Sequence, residues 1–167
     1  RFKPLDRDEC RQKLGWDRRK FHVVFPFSGT PTKRPELARA AVNSLEQLGL
    51  LSEIHQLQAV PHAEVPIWLN ACDSLLLTSV HEGSPNIVKE ALACDVPVVS
   101  VDVGDVTERL QGIEGCYIAA PDPKELALKL LQVHSGLRRV AGRIKMQELS
   151  LERVAERVKC FYEECLK

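Results

Sequence analysis

Glu82 and Glu90 are the residues of this sequence whose type and spacing most clearly suggest chemistry. They lie eight positions apart, with the turn sequence Gly-Ser-Pro-Asn between them. A carboxylate only accepts hydrogen bonds, so it can take two sugar hydroxyl donors at once. Two glutamates on an ordinary surface helix would be a solvated pair. The turn, and the apolar run that precedes it, favour a binding site over that interpretation.

A helix is predicted to begin between the two glutamates. Ser84 is a favourable N-cap residue, and Pro85 suits the first helical position, where a missing N–H has no cost. Gly83 has no Cβ and would let the backbone approach a ligand. The next backbone N–H groups would stay unpaired at the positive end of the helix dipole, which attracts anions; they belong to Asn86, Ile87 and Val88. A phosphate held between two sugar-binding carboxylates predicts a nucleotide diphosphate-sugar as the ligand.

Short apolar runs alternate with helical patterns along the chain, which predicts an α/β fold with a parallel sheet covered on both faces. The predicted strands are residues 21–27, 53–57, 74–79, 96–101 and 116–119. The predicted helices are residues 7–14, 35–48, 65–71, 85–94, 106–110, 123–133, 137–146 and 151–167. Ligands of such sheets bind outside the carboxyl ends of the strands. The segment that contains Glu82 follows the third predicted strand and is therefore expected at that edge.

The composition narrows the function further. With 23 basic and 23 acidic residues the chain lacks the positive charge of a nucleic-acid-binding domain, so no nucleic-acid partner is expected. No group of Asp, His or Cys has the spacing of a metal site, and no P-loop, dinucleotide-binding or nucleophile-elbow motif occurs. Cys72, Cys94 and Cys116 lie among apolar residues and are predicted to be buried, reduced thiols, so we expect a cytoplasmic location.

The segment from His81 to Cys94 resembles the Glu-x7-Glu signature of the family-four retaining glycosyltransferases, the glycosyl transferases group 1, which have a two-domain GT-B fold. The similarity continues through residues 95–108 and reaches back to residues 70–79. Residues 2–4 and 14–15 resemble the phrase that follows the family's interdomain linker. The resemblance covers most of the chain and is most specific around residues 70–110.

This resemblance implies that residues 1–167 form one Rossmann-like domain, the C-terminal, donor-binding half of a GT-B enzyme. Residues 1–20 would be the lead-in from the linker, and residues 150–167 an amphipathic C-terminal helix. The implied reaction transfers a hexosyl group from a nucleotide diphosphate-sugar to an acceptor hydroxyl, with retained configuration, in polysaccharide biosynthesis and without a metal or other cofactor. It occurs in the cleft between the two domains.

The expected partner is therefore an N-terminal, acceptor-binding domain that this chain does not include, and the chain alone is expected to be inactive. That other half would also carry any peripheral membrane contact. Two alternatives stay open. One is a nucleotide-sugar-binding module without transferase activity, and the other is a GT-B-fold nucleotide-sugar epimerase.

The resemblance also assigns roles to individual residues. Glu90 would bind the ribose, while Glu82 and Lys33 would be catalytic. The family usually has an arginine five residues before the lysine, but Ser28 stands there, so Arg34 would have to contact the diphosphate instead.

The remaining expected contacts surround these residues. The diphosphate and the donor sugar would be held by Lys33, Arg34, His81, Glu82, Gly83, Ser84, Pro85, Asn86, Ile87 and Val88. The nucleobase would pack beside Val60 and Pro61.

Overall fold

A parallel five-stranded sheet forms the centre of the structure, a computed structural model that describes residues 1–136 and 139–166. Its strands are β1 (Phe21–Pro26), β2 (Ser52–Leu57), β3 (Ser74–Leu77), β4 (Val98–Val101) and β5 (Tyr117–Ala119), in the spatial order β2-β1-β3-β4-β5. The helices are α1 (Arg7–Leu14), α2 (Pro35–Gln47), α3 (Val65–Ala71), α4 (Asn86–Ala93), α5 (Val106–Leu110), α6 (Pro123–Ser135), α7 (Gly142–Met146) and α8 (Leu151–Cys165). The predicted α/β fold class is confirmed.

The core lies between this sheet and the helices that cover it. Every residue of β3 and β4 is buried, as expected for central strands covered on both faces. The covering helices bury one apolar face each: α2 buries Val42 and Leu45, and α6 buries Leu126 and Leu130. The central strands are mostly apolar, and the small buried polar residues in them, Ser74 and Ser100, donate to backbone carbonyls. The charged residues are placed mainly where the strands end.

The observed strands and helices differ from the predicted ones mainly at their ends. The third strand ends at Leu77, because Thr78 and Ser79 bond to the loop after β1 instead of continuing the ladder. The fourth strand begins at Val98, since Pro97 has no N–H to donate to a neighbouring strand.

The predicted helix over residues 137–146 is wrong in extent. Leu137 and Arg138 lie outside the described residues, and the helix observed here is the short α7. The carbonyl of Asp95 accepts a bond from the N–H of Val140, and its carboxylate accepts one from the N–H of Arg143. These two bonds connect residues 140–143 to the end of α4, and α7 therefore begins only at Gly142.

A largely buried carboxylate, 13% exposed, joins the lead-in helix α1 to the sheet. Asp73, just before β3, accepts hydrogen bonds from the guanidinium groups of Arg7 and Arg11 and from the backbone N–H of His22 in β1. Arg11 is itself buried, and its Nε donates to the carbonyl of Ala71. Burial lowers the pKa of Arg11 despite the neighbouring carboxylate. Breaking a fully buried ion pair costs about 3–5 kcal/mol, and this largely buried pair approaches that case, so it holds residues 7–14 to the domain.

Helix α8 is exposed along its whole length. Its apolar residues recur on one face, and the exposed fraction reaches 63% for Phe161 and 85% for Leu151. An apolar helix face normally packs against another element. Among the described residues, no helix has the length and apolar character that crossing a membrane requires.

All six cysteines are free thiols, and only Cys160 and Cys165 are exposed. Cys10, Cys72 and Cys94 are buried, and Cys116 is half-buried. Burial raises the pKa of Cys72 to about 12, and those of Cys94 and Cys116 to about 11.

We predict that Cys160 and Cys165, the two exposed thiols on α8, react rapidly with a disulfide reagent in the native protein, because the thiolate is the reactive form. The other four should react only as fast as the domain unfolds. Stopped-flow labelling with and without denaturant measures both classes. A third fast thiol in the native protein would contradict the buried arrangement.

Candidate functional site

Two loops at the carboxyl edge of the sheet are bonded to each other. The hydroxyl of Thr78, after β3, donates to the carbonyl of Lys33 at 2.7 Å. The N–H of Val80 donates to the carbonyl of Thr32 at 2.8 Å. The loop that follows β1 is thus fixed beside the segment that contains Glu82.

This arrangement brings Lys33 and Glu82 into direct contact. The Lys33 ammonium group forms an ion pair with the Glu82 carboxylate, although the residues are 49 positions apart in sequence. Their side chains are only 20% and 14% exposed, so the pair is more shielded from water than an ordinary surface pair. A partly buried cation beside a carboxylate suits a ligand that has both a phosphate and hydroxyl groups.

The guanidinium group of Arg34 points into the same edge but is bonded to the backbone. Its Nε donates to the carbonyl of Thr78 at 2.5 Å, and Nη2 donates to the carbonyl of Ser79 at 3.2 Å. Arg34 has a left-handed backbone, with a φ of 50°, and the next residue starts α2. These contacts support the loop. The expected contact between Arg34 and a diphosphate remains a prediction.

Helix α4 begins later than the sequence suggested. Pro85 occupies the N-cap position with an extended backbone, and the first helical residue is Asn86. Ser84 does not cap the helix, because its hydroxyl donates to the carboxylate of Asp105 at 2.5 Å. The N–H of Val88 is also not free, since it donates to the carbonyl of Pro85 at 3.2 Å.

Two backbone donors are left at the start of α4. Within the described part of the chain, the N–H groups of Asn86 and Ile87 have no protein acceptor. Both point along the helix axis toward the edge where Glu82 lies, and a helix N-terminus favours negative charge. The anion site predicted from three N–H groups therefore reduces to two.

A second loop, residues 103–105, contacts the backbone next to Glu82. The sequence assigned no role to this loop. The N–H of Asp105 donates to the carbonyl of Gly83 at 3.1 Å. Burial opposes the charge on Asp105, but hydrogen bonds from Ser84 and Arg109 outweigh it and lower the pKa of that carboxyl. Gly104, with a φ of 56°, packs directly against the Glu82–Gly83 backbone. The Val-Gly-Asp sequence at 103–105, with a glycine in a loop after a strand, is the sequence feature that could have indicated this contact.

Glu90 lies on α4 beside the predicted nucleobase loop. Its carboxylate is 3.1 Å from Nε2 of His62, which follows Val60 and Pro61. Arg1 can only donate, so its bond to Nδ1 of His62 leaves the Nε2 proton for Glu90. The structure thus places the loop that contains Val60 and Pro61 next to Glu90 through His62, a residue to which the sequence assigned no role.

The rest of this edge is open. His81 is exposed and lies next to the Lys33–Glu82 pair in sequence. A neighbouring cleft of about 630 Å³ lies along the ends of β3, β4 and β5, with Arg34 and Asp102 in its wall. The hydroxyl oxygen of Ser79, also in that wall, has no hydrogen-bond partner in the described structure.

The comparisons with known proteins identify the family of this chain. Residues 12–135 match the family model of the glycosyl transferases group 1. The chain belongs to this family. It is 25% identical over 161 residues to D-inositol 3-phosphate glycosyltransferase 1 of Catenulispora acidiphila, with 75% of this chain and 38% of that protein covered.

Two solved structures share the fold of this group 1 glycosyl transferase chain. Sucrose-phosphate synthase from Thermosynechococcus elongatus has a TM-score of 0.81 at 17% identity, covering 99% of this chain and 50% of that one. The Anabaena protein HepE, solved in complex with UDP-glucose, has a TM-score of 0.74 at 21% identity, covering 98% of this chain and 54% of that one. The chain therefore spans about half the length of each of these two structures. It spans less than half the length of the curated relative from Catenulispora acidiphila.

Away from this edge, the group 1 chain contains a cluster that the sequence analysis missed. The sequence assigned no role to His22 or His55, and it showed no metal-ligand spacing. In the described structure, potential ligand atoms of His22, Glu53 and His55 all lie within 4.8 Å of one another. Burial lowers the pKa of both histidines, that of His55 to about 4, so both are neutral near pH 7.

We predict that Gly104→Ala displaces the Glu82–Gly83 backbone, because the new Cβ would collide with both carbonyl oxygens. Nucleoside diphosphate affinity should fall at least tenfold, measured calorimetrically with whichever of UDP, GDP and ADP stabilises the wild type. The matched control is Gly112→Ala, since Gly112 has a similar φ of 76° but open space around its Cβ position. Both variants carry about 1–2 kcal/mol of left-handed strain. Equal affinity in the two would show that the Gly104 contact does not position the site.

Proposed function

We propose that this domain binds a nucleotide diphosphate-sugar and that, with an N-terminal acceptor-binding domain, it transfers the sugar to an acceptor hydroxyl with retained configuration. The observation that carries this proposal is the Lys33–Glu82 ion pair at the start of α4, with Glu90 on the same helix. These groups suit a ligand that has a diphosphate between two sugars. Lys33 and the N-terminus of α4 would meet the diphosphate, and the carboxylates of Glu82 and Glu90 would meet the two sugars.

The chemistry follows from charge. As the glycosidic bond breaks, negative charge grows on the nucleoside diphosphate, and a preorganised cation and backbone donors stabilise it. Lys33 would leave Glu82 for the diphosphate, assisted by the N–H groups of Asn86 and Ile87. The released carboxylate of Glu82 would then accept hydrogen bonds from hydroxyl groups of the donor sugar. These steps use protein groups alone, and metal independence is part of the proposal.

The other predicted contacts complete the donor site. Glu90 would accept hydrogen bonds from the ribose hydroxyls, with His62 keeping its carboxylate in place. Val60 and Pro61 would pack against the base, and the exposed His81 would contact the sugar or phosphate. Arg34 would add its remaining donors to the diphosphate while its other bonds hold the loop.

The exposed apolar face of α8 supports the proposal of a second domain. The chain spans only part of its relatives, and α8 presents an unpartnered face that includes Val158 and Phe161. We propose that the N-terminal domain packs near this helix and closes the cleft over the donor. Polysaccharide biosynthesis, a hexosyl donor, peripheral membrane contact through the other domain and a cytoplasmic location also remain proposals.

A second candidate is a nucleotide-sugar-binding module without transferase activity. Ser28 stands where the family usually has an arginine, and the Arg34 guanidinium is bonded to backbone carbonyls. Leaving-group stabilisation would then be weaker than in the family. A nucleotide-sugar epimerase is the third possibility. Incubating the full-length protein with nucleotide-sugars separates the three, by transfer, by epimer formation or by binding alone.

Glu90 and Lys33 should affect different parts of the ligand. Losing one charge-assisted hydrogen bond costs about 1.5–3 kcal/mol, so each variant should weaken the nucleoside diphosphate roughly ten- to hundredfold. Glu90→Gln should weaken binding of the free nucleoside by the same factor. Lys33→Ala should leave nucleoside affinity nearly unchanged and should flatten the salt dependence of nucleoside diphosphate binding.

Calorimetry with nucleoside and nucleoside diphosphate measures all four affinities, and Lys13→Ala, which removes an exposed lysine of α1, controls for net charge. Wild-type affinity in Glu90→Gln would remove Glu90 from the site. Equal losses for both ligands in Lys33→Ala would mean that Lys33 does not act on the phosphates.

We predict that the 167-residue chain binds donor but does not transfer it alone, because an open half-cleft neither orients an acceptor nor excludes water. Donor should turn over only by slow hydrolysis. Adding the N-terminal domain in trans should restore measurable transfer, and Phe161→Ser on α8 should reduce that restoration without changing donor affinity. Efficient transfer by the chain alone to an acceptor other than water would overturn the prediction.

A further inference from the structure

Two imidazoles and a carboxylate converge at the start of the edge strand β2. His22 lies on β1, while Glu53 and His55 lie on β2, and Glu53 is paired with His22 in the strand register. Nδ1 of His22 is 2.8 Å from Nε2 of His55. One potential ligand atom from each of His22, Glu53 and His55 lies within 4.8 Å of the other two. His22 and Glu53 are second in their strands, so the cluster is near the amino edge of the sheet. The candidate donor site lies at the opposite edge.

The histidines are oriented as metal ligands usually are. Nε2 of His22 donates to the backbone carbonyl of Asp17 at 2.7 Å, which leaves the lone pair of Nδ1 directed at His55. A backbone acceptor on the far nitrogen is the common way to fix the tautomer and ring of a ligating histidine. Trp16 stacks on the His55 ring with centroids 3.6 Å apart, and this contact holds the second imidazole.

We propose that His22, Glu53 and His55 bind one divalent transition-metal ion of the zinc type, with water in the fourth position. Two imidazoles and one carboxylate are a donor set that zinc accepts, at about 2.0–2.1 Å from each ligand atom. Tetrahedral binding at that length separates two nitrogens by about 3.3 Å, so the rings need to part by only about half an ångström. When the ion binds, the proton on Nε2 of His55 moves to Nδ1, so that Nε2 is free to bind the metal.

The carboxylate is available for this role. Glu53 pairs with Lys20 at 2.9 Å, but the two side chains are 42% and 32% exposed. Such an exposed pair adds little stability, so rotating Glu53 toward the histidines costs little. Because β2 is an edge strand and His55 is only half-buried, an ion can enter from solvent. The bound ion would join β1 to β2 beneath Trp16.

The test uses the 167-residue chain with Cys160→Ser and Cys165→Ser, so that the exposed thiols do not compete for metal. Zn²⁺ titrated by calorimetry should bind at one equivalent. A hundredfold excess over Kd should raise Tm by roughly 5–10 °C. Co²⁺ should give the visible spectrum of a tetrahedral nitrogen–oxygen site and quench tryptophan fluorescence, because Trp16 contacts a ligand.

Matched variants decide the assignment. Glu53→Gln and His55→Gln should each weaken Zn²⁺ at least tenfold and remove the Co²⁺ spectrum, while His134→Gln, at an exposed histidine outside the cluster, should bind like the parent. Absence of one-equivalent binding in the parent, or parental affinity in Glu53→Gln, overturns the proposal. Glu53 is a half-exposed strand residue and its substitution is isosteric, so this result can be read even if His55→Gln fails to fold.

Discussion

The parallel pairing of the buried strands β1 and β3 is the constraint on which the rest of this structure depends. These neighbours end at the same edge of the sheet, so the loops that follow them emerge side by side. Bonds from Thr78 and Arg34 then fix one loop on the other. The loop after β1 contains only one short 3-10 helix, Pro31–Lys33, so these bonds do much to hold it. The Lys33–Glu82 pair exists because two apolar strands lie next to each other in the core.

The same edge shows how the domain supports polar groups without burying them fully. The Glu82 loop rests on the Gly104–Asp105 backbone, and α4 places Glu90 beside His62. A ligand that takes up Lys33 has to replace an existing ion pair. The cost is limited, because each charge finds a new partner, and the gain depends on the ligand offering an anion and hydroxyl groups together. The arrangement therefore selects for a ligand with both.

The opposite edge carries a separate set of polar contacts. Asp73 accepts hydrogen bonds from Arg7, Arg11 and the backbone N–H of His22, and the imidazole of His22 belongs to the histidine cluster. The lead-in helix is held by this edge, while ligand-facing loops occupy the other. Changes in one set can thus occur with little effect on the other, since the apolar middle of the sheet separates them.

The sequence by itself determined the α/β class, the five strands, most helices and the family, because buried strands and amphipathic helices leave periodic apolar patterns. It also marked Lys33, Glu82 and Glu90. Only the tertiary structure decided which groups meet. The bond from Ser84 to Asp105, the contact between His62 and Glu90, and the convergence of His22 with Glu53 and His55 all join residues 21 to 33 positions apart. Local spacing cannot predict such contacts, since they follow from strand order and register, which are set by packing of the whole chain.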